Sequence, residues 1–160
     1  MEHSSQERIT EAGRLAREHF QNYNCAESVL LSFLDRRGSA FPPQMLSVAG
    51  GFGGGMGGTG NACGAVTGAL MALGTLAGRH GKLPLHPTEE DLARPKEARK
   101  ICGRMVDEIT NRYGTIQCRE LLHPGDALSA KEKKGRCADI VEYCAALAER
   151  YAQEWDEQHT

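Results

Sequence analysis

Gly50-Gly51-Phe52-Gly53-Gly54-Gly55-Met56-Gly57-Gly58-Thr59-Gly60-Asn61-Ala62-Cys63-Gly64-Ala65-Val66-Thr67-Gly68-Ala69-Leu70-Met71-Ala72-Leu73-Gly74 is the stretch on which the reading of this chain turns. Eight of its first eleven residues are glycine, which opens left-handed and strained backbone conformations to the chain. After Cys63 the small and apolar residues recur at helical, not strand, spacing. Gly60, Gly64, Gly68 and Ala72 lie four apart, so one face of the predicted helix has almost no side-chain bulk. Another backbone or a compact cofactor can approach such a face closely. Glycine inside a helix costs roughly 0.5–1 kcal/mol relative to alanine, so its repetition points to a packing or functional need.

Outward from this centre, the pattern is helical throughout. Ile9, Ala12, Leu15, Ala16 and Phe20 predict an amphipathic helix over 5–20. Asn24 is placed to cap a second helix, 25–36, with Val29, Leu30, Phe33 and Leu34 on its core side and Gly38-Ser39 as its stop. Pro42-Pro43 starts a short helix through Val48. The glycine loop follows, then a helix beginning near Asn61 or Ala62. Thr88 with Asp91 reads as a capped start for a long helix carrying Ile101, Met105, Val106 and Ile109, ended by Gly114. A brief helical turn runs from Cys118 through Leu122, a turn at His123-Pro124-Gly125-Asp126 follows, and the last helix is expected from Cys137 to Trp155. No stretch alternates with period two long enough to require a strand. The expectation is an all-α, compact single-domain bundle of five or six helices spanning 1–160, with a Gly-rich loop before a central helix.

Composition narrows the function classes. A net charge of -2 gives no general drive toward nucleic acid or an anionic membrane, and the basic cluster Arg94, Lys96, Arg99, Lys100 and Arg104 reads as a solvated helix face. No apolar run reaches spanning length, and Met1-Glu2-His3-Ser4 opens no leader pattern, so the chain reads as cytoplasmic, without nucleic-acid or membrane partners. Thiols are normally reduced in that compartment, which points the six cysteines toward redox, catalytic or metal chemistry. His80, His86 and His123 read as solvated loop residues.

Cys102 and Cys144 fall mid-helix on apolar stripes and read as small core hydrophobes. Cys25, Cys63, Cys118 and Cys137 each come at a predicted helix start, where unpaired N–H groups and the helix dipole favour a thiolate. None forms a C-x-x-C pair, so a joint site has to be assembled by tertiary packing. Such a site can hold a reversible disulfide, exchange sulfur, or ligate an iron–sulfur cluster or a soft metal. The loop N–H groups around Gly55, Gly57, Gly58, Gly60 and Gly64 form a candidate anion or cofactor cradle beside it.

Tyr23-Asn24-Cys25-Ala26, Gly50 through Gly57, Cys63 through Met71, Cys118-Arg119-Glu120-Leu121-Leu122, and Cys137 ahead of the last helix together resemble the C_GCAxxG_C_C family of small prokaryotic proteins, described as redox-active. The resemblance covers nearly the whole chain and carries the family's four cysteines onto Cys25, Cys63, Cys118 and Cys137. It implies redox chemistry without naming a substrate.

The function expected is that of a thiol-dependent redox protein, a candidate oxidoreductase, with Cys63 as lead nucleophile and Cys25, Cys118 and Cys137 as resolving thiols. Its partner would be a redox protein or a small thiol, and disulfide exchange is slightly favoured. One alternative makes the same four cysteines ligands of an iron–sulfur cluster or soft metal for electron transfer or sensing. Another is a non-catalytic module whose glycine-faced helix docks a partner helix or forms a homodimer.

Overall fold

Ser4 opens the first helix by accepting from the Glu7 N–H while the Glu7 carboxylate caps the Ser4 N–H in return. The computed structural model describes residues 3–37, 41–79, 81, 83–123 and 127–160. Among these are six α-helices, α1 (Ser5–His19), α2 (Cys25–Arg37), α3 (Gly64–Ala77), α4 (Glu89–Tyr113), α5 (Cys118–Leu122) and α6 (Ala130–His159), and a 3₁₀ segment, Pro43–Phe52. The chain is all-α and 74% helical, with no strand among the described residues. The Gly38-Ser39 stop, His80 and the Pro124-Gly125-Asp126 turn lie outside the described residues.

The core forms where α3 is enclosed by its neighbours. Val66, Ala69, Ala72 and Leu73 of α3 are buried against Val29, Leu30 and Phe33 of α2, Ile101, Met105 and Ile109 of α4, and Ile140, Val141, Leu147 and Ala148 of α6. Helix α1 closes the bundle along α6. Its Arg17 pairs with Glu142 and Asp139, and the buried Ser32 hydroxyl of α2 donates to the Ala12 carbonyl at 2.7 Å. Arg37 of α2 reaches Glu149 at 3.0 Å and Asp156 at 2.7 Å, fixing the far end of α2 to α6.

The bare face of α3 is filled from within the chain. A methyl group on Gly68 would stand 2.7 Å from the Ala26 carbonyl oxygen, and one on Gly64 would stand 3.1 Å from Cys25 Cβ. This face therefore receives the backbone of α2, not a partner helix. The docking and dimerisation reading loses the surface on which it was based.

Two helix starts differ from expectation. Helix α3 begins at Gly64, with Cys63 as its N-cap, because 61–63 is drawn out into an antiparallel bridge between Ala62 and Gln117. Helix α6 begins at Ala130 instead of Cys137. Ser129 and Glu132 form a capping box there, and that reciprocal pair of hydrogen bonds starts the helix two turns early. Cys137 is thus inside a helix, and the expectation of four cysteines at helix N-termini holds for only three. Helix α4 begins at Glu89 behind a Thr88–Asp91 capping box and carries Pro95 through its second turn.

Gly68 and Gly74 offer opposite tests of this packing. Gly68→Ala forces a methyl onto the Ala26 backbone and is expected to destabilise the protein by about 1–3 kcal/mol. Gly74→Ala adds a methyl to open space on the exposed side of the same helix and is expected to stabilise by roughly 0.5–1 kcal/mol. Urea unfolding of the two variants reads both signs.

Candidate functional site

Phe52 ends the 3₁₀ segment, and the backbone then turns left-handed. Gly54, Gly55, Met56, Gly57 and Gly58 all have positive φ, from 63° to 75°. Four amides of this coil are bound internally. Met56 N–H donates to Phe52 O at 3.3 Å, and Gly58, Gly60 and Asn61 N–H donate to Gly53, Gly54 and Gly55 O, each at 3.0 Å. The Arg119 guanidinium adds a bond to Thr59 O at 2.8 Å. The loop is a self-bonded coil that clasps the start of α5. Gly55 is where its geometry matters most: a Cβ there would lie 2.7 Å from Cys118 Cβ and 2.7 Å from Asn61 N.

The cysteines reach one place by four routes. Cys25 is the first residue of α2, behind Asn24, whose side-chain oxygen accepts from Glu27 N–H at 2.9 Å. The missing side chain of Gly64 lets Cys25 approach the start of α3. Cys63 N–H donates to Ile116 O at 2.8 Å, and Cys118 N–H donates to Asn61 O at 2.7 Å, on either side of the Ala62–Gln117 bridge. In extended pairing alternate side chains share a face, so Cys63 and Cys118 both project from the face opposite Ala62 and Gln117. Cys137 arrives from α6, one turn before Ile140.

All four line one cavity of about 20 Å³. Gly54, Gly55, Gly64, Ala65, Leu121, Leu122 and Ile140 complete its walls. Of the glycines expected to cradle a cofactor, Gly55 and Gly64 face this space, whereas Gly57, Gly58 and Gly60 do not line it. Gly60 instead packs beside the Arg119 side chain, where a Cβ would lie 3.2 Å from Arg119 Cβ. The sequence reading missed Gly54, Ala65, Leu121, Leu122 and Ile140 as wall residues. Ile140 was within reach of it, three positions after Cys137 on an inward helical stripe. Cys144 is fully buried one turn deeper on α6, and Cys102 sits half-buried on α4 outside the cavity walls.

Burial overrides the helix-start effect. It pushes the Cys63 thiol up to about 11, although the Ala65 and Val66 N–H groups at the start of α3 pull the other way. Burial likewise raises Cys118. Cys25 is raised because it gives its proton to a hydrogen bond with Cys137 and because it is buried. Cys137, the one cysteine of the four inside a helix, is the one lowered. The Cys25 hydrogen bond favours its thiolate, with the Arg136 charge as a smaller aid. Of the two, Cys137 is therefore the one whose thiolate is favoured and Cys25 the one that keeps its proton more readily. Among the described residues, no three His, Cys, Asp or Glu side chains stand in a metal-holding arrangement.

Compared with known proteins, residues 23–151 match the model of a family described as "Putative redox-active protein (C_GCAxxG_C_C)". No curated protein and no solved structure matches the chain. The family match takes in all four cavity cysteines. No described helix is long and apolar enough to cross a membrane.

Two measurements test this geometry. The folded protein keeps the Cys63 proton between about 9 and about 11, a window in which an exposed thiol releases it. That contribution to stability is complete below pH 9 and is lost as pH rises to 11. The expected loss is on the order of 2 kcal/mol, and Cys63→Ala should flatten the slope in urea titrations. Gly55→Ala, strained at positive φ and driven into Cys118, is expected to destabilise by about 1–3 kcal/mol. It should also speed alkylation of Cys118, read by peptide mass mapping.

Proposed function

We propose, from the premise that the chain belongs to the C_GCAxxG_C_C family of redox-active proteins, that it is a dithiol–disulfide redox protein in which Cys137 attacks and Cys25 resolves. The observation that carries this reading is that Cys25 of α2 and Cys137 of α6 line one cavity, where the two thiols are electrostatically linked. A thiolate is the attacking form of cysteine, and at Cys137 the neighbouring thiol and Arg136 favour it. This supports Cys137 as the first nucleophile in place of Cys63, whose buried thiol stays protonated at neutral pH.

The step balances without a metal. The Cys137 thiolate attacks one sulfur of a disulfide RS–SR, forms a mixed disulfide and expels RS⁻. Cys25 gives up its proton and attacks the Cys137 sulfur, expelling the second RS⁻. The products are a Cys25–Cys137 disulfide and two RS⁻, so two electrons and the one proton of Cys25 leave the protein. Cys63 and Cys118 line the same cavity as neutral thiols, and Leu121, Leu122 and Ile140 limit water around the reacting sulfurs.

Glutathione disulfide is the direct probe. In the wild type, intact mass and peptide mapping should show a Cys25–Cys137 disulfide. Cys25→Ser should accumulate a Cys137–glutathione mixed disulfide. Cys137→Ser should slow the reaction by at least about tenfold, because it removes the favoured thiolate. A Cys137→Ser protein that reacts at the wild-type rate would overturn the assignment.

A further inference from the structure

The cavity between the four thiols has a size and a lining that select among electron acceptors. At about 20 Å³ it is a small space, with room for only an atom or two beyond the thiols themselves. Its walls other than the cysteines are glycine backbone and the apolar side chains of Ala65, Leu121, Leu122 and Ile140. Such walls hold water poorly, since an ordered water needs two to four polar partners. They suit a single neutral, polarisable atom.

We propose that this cavity receives one sulfane sulfur from a persulfide or polysulfide, and that the protein reduces it to hydrosulfide. The proposal rests on the dithiol reading above and names its substrate class. The Cys137 thiolate attacks the terminal sulfur of R–S–SH, forms Cys137–S–SH and expels RS⁻. The transferred sulfur then lies about 2 Å from Cys137 Sγ, a distance that keeps it inside a one-atom space. Cys25 next attacks the Cys137 sulfur. The Cys137–S–SH bond breaks, the proton of Cys25 is released, and HS⁻ departs, leaving the Cys25–Cys137 disulfide. The sulfane sulfur gains two electrons, and the two cysteines lose them.

The rest of the lining fits this assignment. Cys63 and Cys118 remain thiols at neutral pH under burial, so both can donate weakly to a terminal persulfide sulfur without competing for it as nucleophiles. The half-buried Leu122 belongs to the five-residue helix α5, whose first residue is Cys118, and its side chain helps set the width of the space. A bulky disulfide has to displace such wall residues to reach Cys137. A single sulfur does not.

Anaerobic, fully reduced full-length protein is treated in parallel with inorganic polysulfide and with glutathione disulfide. It is followed by intact mass, peptide mapping and released sulfide. With polysulfide, we expect a transient gain of one sulfur atom on Cys137, then the Cys25–Cys137 disulfide with about one hydrosulfide per chain, at a rate at least about tenfold above that with glutathione disulfide. Cys25→Ser, and Cys25→Ala as a second variant with folding checked by circular dichroism, should retain the one-sulfur adduct and release no hydrosulfide. Leu122→Ala should narrow the rate difference between the two probes by widening the cavity. Equal rates with both probes and no one-sulfur adduct would overturn the sulfane proposal and leave the dithiol reading standing. Failure of both probes to form the Cys25–Cys137 disulfide would overturn the two together.

Discussion

The approach of the α2 backbone to α3 sets the geometry of everything around the site. Gly68 leaves no side chain between itself and the Ala26 carbonyl, and Gly64 leaves none between itself and Cys25. With ordinary side chains at these positions the two helices would stand further apart, and Cys25 would withdraw from the start of α3. The same contact occupies the face that a partner helix would otherwise use. Small residues on α3 therefore act inside the chain, as the means of bringing the first cysteine to the others.

Three further constraints complete the convergence. The left-handed coil from Gly54 to Gly58 binds its own carbonyls and clasps α5, and the Ala62–Gln117 bridge sets Cys63 and Cys118 on one face. The Ser129–Glu132 capping box starts α6 early enough that Cys137 is carried into the cavity from within a helix. Each constraint is small, a hydrogen-bonded turn, a bridge or a cap, and the bridge joins distant parts of the chain. Together they bring four sulfurs from distant parts of the chain to the walls of one small cavity.

The chemistry of that cavity follows from competition between dipole and desolvation. Helix starts stabilise thiolates when the sulfur is wet, but Cys63 is buried, and the penalty on its charged form exceeds what two N–H groups return. A second sulfur does better than a helix start. Cys25 beside Cys137 raises one thiol and lowers the other, so the favoured thiolate is Cys137. This is why, of the four cavity cysteines, the one inside a helix is the best candidate for attack.

The amino-acid sequence alone determined the helical architecture, since 3.6-residue periodicity, caps and glycine stops are written in neighbouring residues. It also singled out the four cysteines by predicted helix starts, a placement that fails for Cys137, and by family resemblance, and it placed Cys102 and Cys144 on apolar stripes. It misjudged where α6 begins, because the reciprocal Ser129–Glu132 cap, written in neighbouring residues, starts the helix two turns ahead of Cys137. Only the tertiary structure decided which thiolate is favoured and which glycines face the site. Both depend on desolvation and on contacts between residues far apart in sequence, and no spacing along the chain encodes those distances.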